Sequence, residues 1–360
     1  MMATSSKPPV IIEKPLINCI PEELRHRFDP TFVEYHSKYN AGRLVTHQVP
    51  IEDVRKDPSK YVIDYGHEIV DDGNLIITEE KCPVNGGEIT VRIFQPGDVV
   101  PSSQKRPAYV NFHGGGWTFG GLATDFDFCK RVVLELGCVA FDVDYRLAPE
   151  YKFPIPIDDC WATLNWIRDV KALQLNVNLD KIAVGGVSAG GHLSTVIAHM
   201  CRDEGIPLAF QLLGAPVCDI HVFTPTGELR PDCEYESYRE MYHAPPLPAE
   251  RMMFFHKCFV GDPRRAELDV PPLNWKVSPI KAPNFKNLAP ALIWTAEMDV
   301  LRDEGEAYGR KMNDAGSKAE IIRLKGAPHN FAHLDGILES GKMYNRESIR
   351  ALRDAFGGSS

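Results

Sequence analysis

Short apolar runs rich in β-branched and aromatic residues alternate along this chain with longer stretches of helical period. "PAYVNF" (Pro107–Phe112), "CVAFDV" (Cys138–Val143), "KIAVGG" (Lys181–Gly186), "ALIWT" (Ala291–Thr295) and "EIIRL" (Glu320–Leu324) predict strands. Between them the spacing predicts helices near Asp125–Leu136, Ile157–Val170, Gly190–Cys201 and Asp303–Ala315, and a last one around Leu334–Phe356. Such alternation packs as β-α units around a mostly parallel sheet with helices on both faces. Upstream, "HEIVDD", "NLIITEEK" and "EITVRIFQP" read as antiparallel edge strands.

Two stretches break this rhythm. Residues 1 to about 60 are polar, Pro-containing and partly helical, and residues from about 218 to 275 hold "TPTGELRPD", "PAERMMFFHKCF" and a Pro-rich return. We expect one α/β domain over residues 1–360, with both stretches forming a helical cap on it. The Met252, Met253, Phe254, Phe255 run is expected to pack a helix rather than line a substrate site.

Composition narrows the function classes. The 44% hydrophobic and 25% charged fractions are those of a globular domain, and the net charge of −9 argues against nucleic acid or an anionic membrane as partner. No apolar run reaches the roughly 18 residues of a membrane span. "MMATSSKPPVIIEKPLIN" lacks the continuous apolar core of a secretory signal. Nine cysteines without a CxxC pair read as free thiols, so a cytosolic location is expected.

Three pieces of chain carry the chemistry. Gly186-Val187-Ser188-Ala189-Gly190 fits G-x-S-x-G between an apolar strand and a helix, the context of a nucleophile elbow. Glycine two residues before and after the serine relieves the crowding of a sharp strand-to-helix turn and leaves Oγ exposed. A flexible linker is excluded by the flanking order, and a phosphate loop would want a lysine that is absent here. His113-Gly114-Gly115-Gly116-Trp117 directly follows another strand. Its glycine amides, with that of Ala189, are candidate donors to the oxyanion that acyl transfer develops, while His113 is expected to brace the loop. Downstream, Asp299 lies just past a strand end and His329 follows a strand and a Gly-Ala-Pro turn, in the order Ser, Asp, His. Asp303 is expected to begin the next helix, where its charge suits the helix dipole. A zinc pair from His329 and His333 lacks a third ligand, and no metal or organic cofactor is expected.

These motifs resemble the hormone-sensitive-lipase-like family of α/β-hydrolase esterases, which includes arylacetamide deacetylases and plant carboxylesterases. The resemblance rests on "HGGGW", "DYRLAPEYKFPIPIDD" (Asp144–Asp159), "GGVSAGG", "DVLRDEG" (Asp299–Gly305) and "GAPHNF" (Gly326–Phe331), in this order. It implies an α/β-hydrolase fold, Ser188 as nucleophile, Asp299 and His329 as its partners, and Gly114, Gly115, Gly116 and Ala189 as oxyanion hole. It also implies the cap, with Arg146 and Glu150 bracing loops. Val187 stands where relatives carry an acidic residue, and Asn330 where glycine is usual; neither removes a triad atom.

The expected activity is cleavage of a small-molecule ester, short-chain, aryl or lactone, through an acyl-enzyme. Trp117, Phe119 and Phe331 are candidate pocket walls, with Phe126 and Phe128 nearby. A dehydratase or cyclase on the same scaffold, and a non-catalytic receptor, are the competing readings; a homodimer is a candidate assembly. Because an imidazole base must be neutral to act, ester hydrolysis is expected to fall below about pH 6–7. A pH–rate profile flat down to pH 4 would remove histidine as the base.

Overall fold

The computed structural model describes residues 18–61, 67–68, 70–98, 104–224, 226–261 and 274–357. Among these residues, eight strands form one sheet in the order β1-β2-β4-β3-β5-β6-β7-β8. They are β1 (Leu75–Val84), β2 (Gly87–Pro96), β3 (Arg106–Phe112), β4 (Val139–Asp144), β5 (Val177–Val187), β6 (Phe210–Gly214), β7 (Ala291–Met298) and β8 (Ala319–Pro328). The β1–β2 and β2–β4 pairs are antiparallel and every other pair is parallel.

Side-chain alternation sorts the sheet into two faces. Val110, Val184, Leu213 and Ile293 join one buried cluster, with Leu164 and with Leu193 and Val196 of the helix Ala189–Asp203. Their chain neighbours Tyr109, Ala183, Leu212 and Leu292 join the other, against the helices Phe126–Leu136 and Glu339–Ala355. A parallel sheet buried on both sides needs near-continuous apolar strands, which is why these runs were legible.

All five strands predicted within the α/β part form, as do the edge strands at "NLIITEEK" and "EITVRIFQP". Two expectations need correction. Residues 67–68 and 70–72 of "HEIVDD" form no strand, because their charges pair elsewhere: Glu68 with Arg131, Asp72 with Lys130 and His67 with Asp335. Strand β6 was missed because Gln211 interrupts its apolar run; that side chain is fully buried and its Nε2 donates to Ala289 O at 2.7 Å.

The N-terminal segment and the stretch between β6 and β7 pack onto the same face as the helix Ala189–Asp203. Phe28, Phe32, Met252, Phe255 and Phe259 all belong to that face's buried cluster. Met252 and Phe255 are buried within the helix Ala249–Val260, as helix packing requires.

Three histidines are buried here without charge. His199 lies among Trp275, Phe285 and Tyr308, His256 beside Trp117 and Phe223, and His192 between Trp117 and the carbonyl of Lys276. Burial pushes each imidazole down to about 3. The unfolded chain, with imidazoles near the ordinary value of about 6.5, binds these protons first, so stability is full above that value and is lost as pH falls. Stability against urea is therefore expected to fall below about pH 6, by up to roughly 4 kcal/mol per pH unit between about pH 5.5 and 4. His256→Phe should lessen that slope, and an unfolding midpoint constant from pH 7 to 4.5 would contradict the assignment.

Candidate active site

The turn after β5 is built by steric exclusion. Ser188 has φ 60° and ψ −117°, a conformation L-residues avoid, and the helix Ala189–Asp203 begins immediately after it. A Cβ on Gly186 would lie 2.1 Å from Phe112 O, and one on Gly190 only 1.8 Å from the same oxygen. The end of β3 therefore presses against the turn, and only glycine fits two residues before and two residues after the serine. Hydrogen bonds from Ser188 N to Gly214 O (2.7 Å) and from His192 N to Ser188 O (3.0 Å) hold the strained residue. Ser188 keeps 8% of its surface accessible.

The same strand end launches the glycine loop. A Cβ on Gly114 would meet Val187 O at 3.0 Å and the Ser188 Cβ at 3.9 Å, so this loop runs alongside the serine. Gly115 (φ 112°) and Gly116 (φ 62°) adopt backbone conformations that side chains disfavour. A Cβ on Gly116 would enter the Phe255 ring at 2.3 Å. Among the described residues, no hydrogen bond engages the amides of Gly115 and Gly116. Ala189 opens its helix, where an N–H has no intrahelical partner.

His113 braces this loop as expected. Its Nδ1 lies 2.7 Å from Gly114 O, its ring stacks on Tyr145 at 4.2 Å, and the Tyr145 hydroxyl donates to His113 O at 2.8 Å. Burial lowers the His113 pKa.

Asp299 follows β7 and His329 follows β8. Asp299 Oδ2 lies 2.7 Å from His329 Nδ1, and Asp299 Oδ1 accepts from Leu301 N at 3.1 Å. A carboxylate at Nδ1 holds the proton there and leaves Nε2 as the acceptor. The carboxylate is almost fully buried, while His329 retains 9% accessibility. The elbow and the histidine loop share one environment: Val187 packs in a buried cluster with Ala327, Phe331 and Ala332. Gly186, Val187, Ala332 and His333 also line a single small cavity of about 30 Å³. Asp303 and Glu304 lie in the first turn of the helix Arg302–Asp314.

His333 turns away from His329 toward Asp125, with Nε2 to Oδ1 at 2.8 Å. Burial works against the Asp125 charge, but the His333 contact and an Asn111 amide at 3.2 Å outweigh it and hold the carboxyl below its usual range. Two expected pocket walls are core side chains instead. Trp117 has no accessible surface: it stacks on Phe259 at 4.3 Å and its Nε1 donates to His192 Nδ1 at 3.2 Å. Phe331 is equally buried, against Tyr344. Of the three, only Phe119 keeps exposed surface, beside Phe254 and Phe255.

Both braces expected in the "YRLAPE" stretch form. Arg146 binds the fully buried Asp159 through N, Nε and Nη2, at 3.0, 2.9 and 2.6 Å. Glu150 pairs with Arg55 of the N-terminal segment at 2.8 Å. Sequence reasoning missed Arg55 and His192. Neither lies in a motif that marks it, and their partners are distant in the chain.

A family model described as α/β hydrolase fold matches residues 109–333. The chain is 33% identical to the AB hydrolase superfamily protein C1039.03 of Schizosaccharomyces pombe, over 92% of this chain and 95% of that protein. It is 32% identical to the esterase LipI of Mycobacterium tuberculosis, over 74% and 78% respectively. Among solved structures, EstE1, a thermophilic carboxylesterase cloned from a metagenomic library, superposes with a TM-score of 0.73 at 31% identity, covering 86% of this chain and 98% of that one. The chain belongs to the α/β-hydrolase fold family, in its hormone-sensitive-lipase-like branch.

Proposed function

We propose that this protein is a serine hydrolase that cleaves carboxylic esters of small molecules through an acyl-enzyme. The observation that carries the reading is the 2.7 Å Asp299–His329 pair, working with a serine held at φ 60° beside a glycine loop. The names of the esterase LipI and the carboxylesterase EstE1 support it.

Ser188 Oγ attacks the ester carbonyl while His329 Nε2 takes its proton, and Asp299 stabilises the imidazolium that forms. The carbonyl oxygen gathers charge beside the amides of the Gly114–Gly116 stretch and of Ala189, which point at it without titrating. His329 then protonates the leaving alcohol, and a water deprotonated by the same nitrogen releases the acid. A dehydratase or cyclase would need the histidine but not the strained serine, and a receptor would need neither. The strain at Ser188 argues for covalent catalysis.

The two covering segments, residues 18–61 and the stretch between β6 and β7, are read as the cap of a single domain. A cytosolic location is supported by the nine cysteines, which form no disulfide with one another. No helix among the described residues is long and apolar enough to cross a membrane.

Ser188→Ala is expected to lower kcat on p-nitrophenyl acetate by about four to six orders of magnitude. Intact mass should show one fluorophosphonate adduct on the native protein and none on that variant. An unlabelled native protein, or a labelled Ser188→Ala, would defeat the assignment. Asp299→Asn should keep the fold and lose about 10⁴ in kcat.

A further inference from the structure

A glycine loop carries no side chains with which to anchor itself, so the direction of its amides must be imposed from outside. Within the loop, Thr118 performs the first part of this task. Its N–H and that of Phe119 donate to Gly115 O at 3.2 and 2.9 Å, and its hydroxyl donates to Gly116 O at 3.0 Å. The orientation of the peptides that follow Gly115 and Gly116 therefore depends on where Thr118 is held.

Thr118 is held by Arg55, from a segment more than sixty residues away. Arg55 lies on the short helix Ile51–Lys56 of the N-terminal segment. Its Nε and Nη2 both donate to Thr118 O, at 3.2 and 2.9 Å, and Nη2 also donates to Ala148 O at 2.7 Å. Nη1, which faces away from both carbonyls, pairs with Glu150 at 2.8 Å. Ala148 matters because its own N–H donates to Trp117 O at 2.8 Å. One planar cation thus ties the loop to the segment that holds its tryptophan, a geometry an ammonium does not reproduce.

We propose that Arg55 is a positioning residue for turnover: it aims the oxyanion-stabilising amides of the glycine loop by clamping Thr118 O and Ala148 O. The N-terminal segment then contributes to the chemical step as well as covering the site. This rests on the hydrolase reading above. Charge-assisted hydrogen bonds to buried carbonyls are strong, and losing the donor leaves both oxygens under-satisfied. A loop of glycines answers such a loss by reorienting, and displacement of about 1 Å in a catalytic constellation costs about a hundredfold in rate.

The test measures turnover and backbone protection separately. Arg55→Ala is expected to lower kcat on p-nitrophenyl acetate about tenfold to a hundredfold, with KM within about twofold. A trifluoromethyl ketone, which forms the tetrahedral adduct, should lose affinity by the same factor as kcat/KM. Amide hydrogen exchange over residues 114–119 should quicken. Arg55→Lys should recover part of the loss, and Glu150→Gln, which leaves both carbonyl contacts in place, should stay within about twofold of the native rate. If Arg55→Ala does not fold, Arg55→Gln carries the same measurements. Unchanged kcat, a change confined to KM, or unaltered exchange over 114–119 would each overturn the proposal. Exchange does not depend on turnover, so a native protein inert toward esters would defeat the hydrolase reading while the clamp is still decided.

Discussion

The carbonyl oxygen of Phe112 is the contact on which the site depends. It ends β3 so close to the β5 turn that neither Gly186 nor Gly190 has room for a Cβ. That one approach has two consequences. It forces Ser188 into a strained conformation with its side chain at the sheet's C-terminal edge, and it starts the glycine loop beside that side chain. The proposed nucleophile and the proposed oxyanion donors are placed by a single steric constraint rather than by two independent ones. The strain persists because the sheet on either side, paired through Val187–Gly214 and Asn111–Gly185, leaves the turn no other path.

Around this contact, the protein keeps nearby polar groups neutral or paired. His192 receives the Trp117 N–H at Nδ1 and faces the carbonyl of Lys276 with Nε2, so a protonated ring would lose the bond that holds the tryptophan. Burial prevents that protonation across the range in which an imidazole base works. Behind the elbow, the Asn111 amide joins Asp125 to Asp142, and burial pushes the Asp142 carboxyl well up. The two carboxyls shift in opposite directions because His333 reaches Asp125 and holds it down.

The covering segments are tied to the glycine loop and to the loop before His329, not only to the core. Arg55 reaches the glycine loop, and Phe255 fills the space that the absent side chain of Gly116 leaves. On the opposite side, Asp29 N donates to Gly326 O at 2.9 Å, three residues before His329. Gly326 has φ 66°, and a Cβ there would stand 3.0 Å from that same nitrogen. The N-terminal segment thereby touches both the glycine loop and the loop that carries His329.

The amino-acid sequence by itself determined the parallel strands, the helices between them and the order Ser188, Asp299, His329. Each of these is written in local patterns, apolar runs of strand length or glycines at fixed offsets from a serine, that one stretch of chain carries alone. The interruption at Gln211 and the charges of "HEIVDD" defeated that local reading, because what decided them was a partner across the sheet or on a distant helix. Which aromatic residues line the site and which are core was likewise a tertiary matter. Trp117 and Phe119 stand two positions apart in one loop, yet His192 and Phe259 claim the first while the second stays open. Arg55 shows the limit most clearly, since an arginine in a polar stretch acquires a role only when folding brings Thr118 and Ala148 to it. Hydrogen-bond partners far apart in the chain leave no period to read, and only the folded chain specifies them.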